Sequence, residues 1–264
     1  MIGFIGGTSL IDSTIFKNWS QKKVKTPYGT VSLKNDENSF FLQRHGNPPL
    51  PPHRINHRAN IWALKSVGAE RIIAVNSVGS LKLKIKPLTF LIPDDYLSLW
   101  NIPTFFDNEM KFTVPRMDTR LAVQLYKHCR TPLWNIPTFF DNEMKFTVPR
   151  MDVEWAAQLH KLCKAHKIPI KHGGIYIQTQ GPRLETKAEI DMLKRFGDVV
   201  GMTMASEVTL CLEYGIPYAS ICSIDNYCHG IAKVSLTMDE IQENVRKNLQ
   251  YIETIIGSIQ REVL

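Results

Sequence analysis

Short apolar runs, each closed by glycine, proline or small polar residues, recur along this chain and alternate with stretches of helical spacing. Residues 2–5 form an apolar strand that stops at Gly6-Gly7. Ser39–Gln43 and 71–76 read as further strands, and 56–66 between them carries apolar positions at helical intervals. The run 89–92 is stopped by Pro93-Asp94-Asp95. Residues 174–178 form a strand leading to a Gly181-Pro182 turn, 186–195 a helix, 198–200 a strand and 206–213 a helix. Residues 218–224 have the length and continuity of a buried strand. Thr237 with Glu240 three residues later forms a capping box that opens a long terminal helix. This alternation predicts an α/β fold of three layers, a mixed central sheet flanked by helices. Nothing in the composition shifts as a linker would, so residues 1–264 are expected to form one domain.

One stretch breaks the pattern. Residues 99–118 and 133–152 are the same twenty residues, offset by 34. A helix-like stretch follows each copy, 119–129 and 153–163, and these two have diverged. A period of 34 has the length of a helical array, but two copies rich in Pro and Phe fit no such repeat. A local tandem duplication is the simpler reading. Only one copy can fill a given slot in a core, so the other is expected at the surface or a subunit boundary.

Composition adds boundaries. With 44% apolar and 22% charged residues the chain falls among soluble globular proteins able to bury a substantial core. It contains no run of about 18 apolar residues that would span a membrane. The N-terminus has neither the basic region nor the cleavage site of a secretion signal. Five cysteines, an odd number with no Cys-x-x-Cys pair, fit free thiols in the cytoplasm, and Cys228-His229 alone makes no metal site. The net charge of +7 comes from dispersed lysines, with no aromatic interleaving and no nucleic-acid motif. A solvated basic surface accounts for it.

The candidate chemistry lies where strands end. Gly6-Gly7-Thr8-Ser9 follows a strand, and glycines there let backbone N–H groups and the Thr8 hydroxyl approach an anion. Arg44-His45-Gly46 closes another strand with a planar guanidinium fork and a second donor. Asn76-Ser77-Val78-Gly79-Ser80 and the Gly201-Met202-Thr203 corner end two more. Each has an ordinary use as a turn. Together, without a Walker pattern or a dinucleotide Gly-x-Gly-x-x-Gly, they point to free phosphate.

These residues, with Pro51-Pro52-His53, Asn56, Arg58-Ala59-Asn60 and Gly181-Pro182-Arg183, carry a resemblance over most of the chain. The sequence resembles the purine nucleoside and methylthioadenosine phosphorylases, most of all the branch acting on 6-oxopurines, including methylthioinosine phosphorylases. The resemblance implies a nucleoside phosphorylase-like fold, a homotrimer or dimer of trimers, no cofactor, and inorganic phosphate as co-substrate beside a purine nucleoside. It places phosphate on Thr8, Arg44, His45, Ser77 and Thr203, and ribose on Met202. It assigns the base to Glu185, Asn226, Tyr227 and Cys228, with Asn226 catalytic. Leu236 would line the 5′ end.

Within that frame two positions speak to the base. An Asn226 amide can donate to O6 and N7 of a 6-oxopurine, where a carboxylate would accept from an adenine amino group. Glu185 would accept from N1–H. An Asn at a strand-end turn and a Glu in a first helical turn also have plain structural uses. Asp225 adjoins Asn226, and a one-residue change of register would exchange them. The chain departs from the resemblance at Asn47-Pro48-Pro49-Leu50, where a His-containing stretch is usual, and at His57, where a tyrosine is more usual. The expectation is phosphorolysis of inosine, guanosine or 5′-methylthioinosine. Methylthioadenosine phosphorylase, a hydrolytic nucleosidase and a catalytically impaired oligomeric relative are the alternatives.

Overall fold

Hydrophobic alternation along three central strands explains the layering. The computed structural model of the chain describes residues 1–11, 13–99, 112–113, 146–147, 151–233 and 236–262. Its elements are β1 (Ile2–Gly6), a 3-10 turn (Thr8–Leu10), β2 (Ser20–Thr26), β3 (Gly29–Asn35), β4 (Ser39–Gln43), α1 (His57–Ser66), β5 (Arg71–Ser80), β6 (Phe90–Ile92) and β7 (Asp95–Ser98). Then come β8 (Phe112–Thr113), β9 (Phe146–Thr147), α2 (Val153–Ala165), β10 (Ile170–His172), β11 (Ile175–Gln178) and α3 (Lys187–Leu193). The chain continues through β12 (Val199–Gly201), α4 (Met204–Glu213), β13 (Tyr218–Tyr227) and α5 (Met238–Glu262).

Successive strand residues point to opposite faces. Ile5, Ile72, Ala74, Tyr218 and Cys222 therefore join one core with Ala59, Ile61 and Leu64 of α1 and Val208 and Cys211 of α4. Ile2, Phe4, Ile73, Val75, Ala219 and Ile221 join the other with Trp155 and Leu159 of α2 and Ile252, Ile255 and Ile259 of α5. The result is the expected three-layer α/β arrangement.

The main path of the sheet runs β10-β6-β13-β5-β1-β4-β3-β2. β4, β1, β5 and β13 are mutually parallel, β2, β3 and β4 antiparallel, and β12 joins β5 antiparallel, so the sheet is mixed. The β2–β3 hairpin is absent from the hydrophobic pattern for a physical reason. β2 is an edge strand with three lysines and one buried residue, Val24, which is how an edge avoids pairing with other chains. β5 and β13 run past their predicted ends to Ser80 and Tyr227 and stay paired with each other there. Those extensions, Ser77-Val78-Gly79-Ser80 and Asp225-Asn226-Tyr227, carry several of the residues that line the site.

The twenty-residue copies and the helix-like stretch 119–129 lie outside the described residues, apart from Leu99, Met151, Asp152 and one short pair. That pair is β8 with β9, parallel, Phe112 opposite Phe146 and Thr113 opposite Thr147, so equivalent positions of the copies face each other. The second copy feeds the core. Asp152 caps α2 by accepting from the Trp155 N–H at 2.8 Å, and Met151, Trp155, Ala156 and Leu159 are buried. The terminal helix starts beside Thr237, whose hydroxyl accepts from the Glu240 N–H at 3.2 Å.

Candidate active site

A cavity of about 480 Å³ opens at the carboxyl ends of β1, β4, β5 and β13, the usual ligand position in α/β sheets. Thr8, Arg44, His45, Ser77, Thr203, Met202, Glu185, Asn226, Cys228 and Leu236 all line it. Residues spread across most of the sequence thus meet in one space. Tyr227 is the exception. Strand alternation turns it away from Asn226 and Cys228, and its hydroxyl donates to the Leu83 carbonyl at 3.1 Å. The Tyr227 side chain is thus not brought together with the other expected site residues.

At one end the geometry is set by Arg44. Its Nε and Nη2 donate to the two carboxylate oxygens of Glu207 at 2.5 and 3.1 Å, and Nη1 donates to the Val75 carbonyl at 2.9 Å. The Tyr218 hydroxyl donates to the same carboxylate at 2.8 Å. The guanidinium presses on the first loop so closely that a Cβ on Gly7 would lie 2.3 Å from Nη1. Glycine is required there by contact. His45 Nδ1 lies 2.7 Å from the Leu50 carbonyl, which only accepts, so Nδ1 carries hydrogen. Burial lowers the His45 pKa, with the Arg44 charge acting in the same direction. The ring is therefore neutral near pH 7, with Nε2 unprotonated.

Thr203 is held from two sides. Its Oγ1 accepts from Asn76 Nδ2 at 2.9 Å, and its N–H, with that of Met204, points at the Tyr176 hydroxyl at 3.2 and 3.3 Å. Gln178 Oε1 accepts from the Ser206 N–H at 3.1 Å. The first turn of α4 is thus satisfied by side chains of β11 in place of an N-cap bond.

The other end is built around the Gly181-Pro182 turn and β13. Gly181 adopts a left-handed φ of +66°, and a Cβ there would lie 2.5 Å from Met202 Sδ, so the turn packs directly on that methionine. Glu185 Oε1 accepts from the Thr179 hydroxyl at 2.6 Å. After it, Thr186 and Glu189 form a capping box, with Arg183 paired to Glu189 through both carboxylate oxygens at 2.7 and 2.8 Å. Cys228 is buried, and burial together with the Glu185 charge pushes its thiol pKa up, so it stays a thiol. Asn226 donates to the Tyr227 carbonyl at 2.9 Å.

Residues 5–261 match the Phosphorylase superfamily. The chain belongs to that superfamily. It is 34% identical to a "probable 6-oxopurine nucleoside phosphorylase" of Archaeoglobus fulgidus, covering 99% of this chain and 98% of that protein. It is 38% identical to a "probable S-methyl-5′-thioinosine phosphorylase" of Methanocaldococcus jannaschii, covering 97% and 92%. Among solved structures it superposes on a methylthioadenosine phosphorylase from an Antarctic soil metagenomic library with a TM-score of 0.71. That pair shares 25% identity over 100% of this chain and 87% of that one.

Within this phosphorylase fold several residues went unread in the sequence. Glu207, Tyr218, Tyr176 and Gln178 hold the groups that line the cavity, yet lie inside stretches that look like ordinary helix and strand. Asn56 and Asn60, which contribute to the motif pattern, also act as supports. Asn56 caps α1 through the Ala59 N–H at 3.0 Å, and Asn60 donates to the Arg44 carbonyl at 3.1 Å. His57 is buried beside Arg44 and Glu207 and its pKa is lowered to about 4 by burial, so it is neutral. Among the described residues no cluster of three potential metal ligands occurs, and no helix is long and apolar enough to cross a membrane.

Proposed function

We propose that the protein cleaves 6-oxopurine nucleosides with inorganic phosphate, giving free base and ribose 1-phosphate or its 5-methylthio analogue. The observation that carries this is one cavity with two chemically different ends. Thr8, Arg44, Ser77 and Thr203 offer donors to an oxyanion at one, with the neutral His45 ring beside them, and Glu185 and Asn226 stand at the other. Met202, packed under the Gly181 turn, lies against the ribose.

The chemistry follows from charge. The C1′–N9 bond breaks with its electron pair leaving on the purine, and the sugar becomes oxocarbenium-like. A phosphate oxygen beneath C1′ stabilises that cation and then bonds to it. The Asn226 amide donates to the purine as negative charge develops, while Glu185 accepts from N1–H. Positioning and electrostatics suffice, with no covalent enzyme intermediate and no cofactor.

Leu236, Ile241 and Val245 give the cavity an apolar wall, which favours a 5′-methylthio group over a hydroxyl. We further read the protein as cytoplasmic, in keeping with the buried free thiols Cys163, Cys211, Cys222 and Cys228. The assembly is a homotrimer or a dimer of trimers, in keeping with exposed Leu83 and Phe196, 63% and 58% accessible in the single chain. A second reading, 5′-methylthioadenosine phosphorylase, draws on Asp225, a carboxylate lining the same cavity beside Asn226.

The test is base release from inosine, guanosine, 5′-methylthioinosine and 5′-methylthioadenosine, with and without phosphate. Phosphate-dependent release of hypoxanthine, faster than release of adenine, is the expected result. Release without phosphate would mark a nucleosidase, adenine preference the second reading, and no release an impaired relative.

A further inference from the structure

The strand β13 carries a bulge at the cavity. Ile224 pairs with Val78 and Asn226 with Gly79, which leaves Asp225 without a register partner on β5. A bulge re-aims the side chains around it and has to be held in place. We propose that Asp225 is the positioning residue of this site, tying the bulge to the terminal helix so that Asn226 is fixed against the purine. This rests on the functional reading above.

Four contacts make the tie. Asp225 Oδ1 accepts from the Ser223 hydroxyl at 2.6 Å and from Asn248 Nδ2 at 3.0 Å. The Asp225 carbonyl accepts from Asn244 Nδ2 at 2.8 Å. Asn248 Nδ2 also reaches Ser223 Oγ at 2.8 Å, so strand and helix share one buried network. Asn244 and Asn248 stand one turn apart on α5, and Ile241 and Val245, likewise one turn apart, line the cavity. The same helix therefore forms a wall of the cavity and anchors its base end.

Asn226 depends on this anchor. Its side chain has a hydrogen bond to the adjacent Tyr227 carbonyl, which follows the local backbone wherever it goes. Gly79 opposite leaves the space, since a Cβ there would lie 3.2 Å from Asn226 Nδ2 and 2.6 Å from Cys228 Sγ. The network is also expensive to keep. Asp225 is almost wholly buried, its Oδ2 has no partner, and burial pushes its pKa up to about 6 against the hydrogen bonds from Ser223 and Asn248. The groups facing it are Ser77 of β5, Ser223 and the Cys222 thiol of β13, and the two asparagines of α5. An amide of the same shape would avoid the burden of an ionised group in this place.

That contrast supplies the test. The folded carboxyl holds its proton up to about pH 6, whereas an unfolded one releases it near about 3.9. Its contribution to stability therefore falls between those values and is lowest above pH 6. Asp225→Asn keeps an acceptor of the same shape, so it should melt no lower than wild type at pH 7.5 and keep most of its kcat. Asp225→Ala removes the acceptor of Ser223 and Asn248, and its kcat for hypoxanthine release should fall about 10- to 100-fold through misplacement of Asn226. The KM for phosphate, set at the other end, should not move. A folded Asp225→Ala protein with wild-type kcat overturns the proposal, as does an equal loss seen only in phosphate KM. Should that variant fail to fold, Asn244→Ala removes the bond to the Asp225 carbonyl alone. A several-fold loss in kcat at constant phosphate KM then supports the proposal, and unchanged kcat overturns it. Wild-type protein without phosphate-dependent release would sink the functional reading itself. Normal wild-type turnover with an unaffected variant sinks this inference alone.

Discussion

The two ends of the cavity are built in opposite ways. At the anion end, Arg44, Thr203 and Asn76 are each locked by several partners drawn from the sheet and α4. Their geometry belongs to the core. At the base end, a strand bulge, one glycine opposite and two helix asparagines set the position of a lone amide. A site that must always take the same small ion is best fixed by the scaffold. A site that chooses among bases is better carried by few groups, where one substitution can change the choice without disturbing the fold.

The most forceful way to break this comparison is Glu207→Ala. It strands the buried Arg44 charge and should destabilise the protein by about 3–5 kcal/mol in urea unfolding. A stability close to wild type would show that the anion end is not fixed by the core. Next comes Asn226→Asp, expected to move the ratio of kcat/KM for inosine over adenosine toward adenosine by about tenfold or more, with little change in unfolding midpoint. An unchanged ratio would remove the assignment of base choice to this residue. A smaller effect sharpens the anion end. His45 is neutral near pH 7, and protonation would give it a second N–H donor toward the anion. Inhibition by sulfate, whose charge is constant in this range, should tighten a few-fold as pH falls below about 6.5. In His45→Gln that tightening should vanish. The smallest effect is expected from deleting residues 119–152. Met117 and Asp118 would then precede Val153 in place of the identical Met151 and Asp152, so the cap of α2 is restored. Its melting temperature should match wild type, and aggregation would show that the duplicated stretch is structural.

Much of the fold was legible because its central strands are buried and its helices amphipathic. The layers follow from alternation at Ile72, Ile73, Ala74 and Val75. The β2–β3 hairpin was hidden because an edge strand of lysines has no apolar face to read. The members of the cavity were legible because glycines and donors cluster at strand ends. Their supports were not. Glu207 looks like any acid on a helix until its pairing with a residue 163 positions away is seen. Asp225 was visible as a neighbour of Asn226, but pairing register, which sequence spacing does not encode, decides which of them is the bulge.

Arg44 and Glu207 neutralise each other before any ligand arrives, and Thr8, Ser77, Thr203 and the neutral ring of His45 bring no charge. An oxyanion entering beside Arg44 is met by oriented dipoles and by a cation already paired, while Arg246 of α5 lines the cavity as well. Among the described residues no lysine lines the cavity, so the lysine-rich outer surface can vary without changing which groups touch the ion.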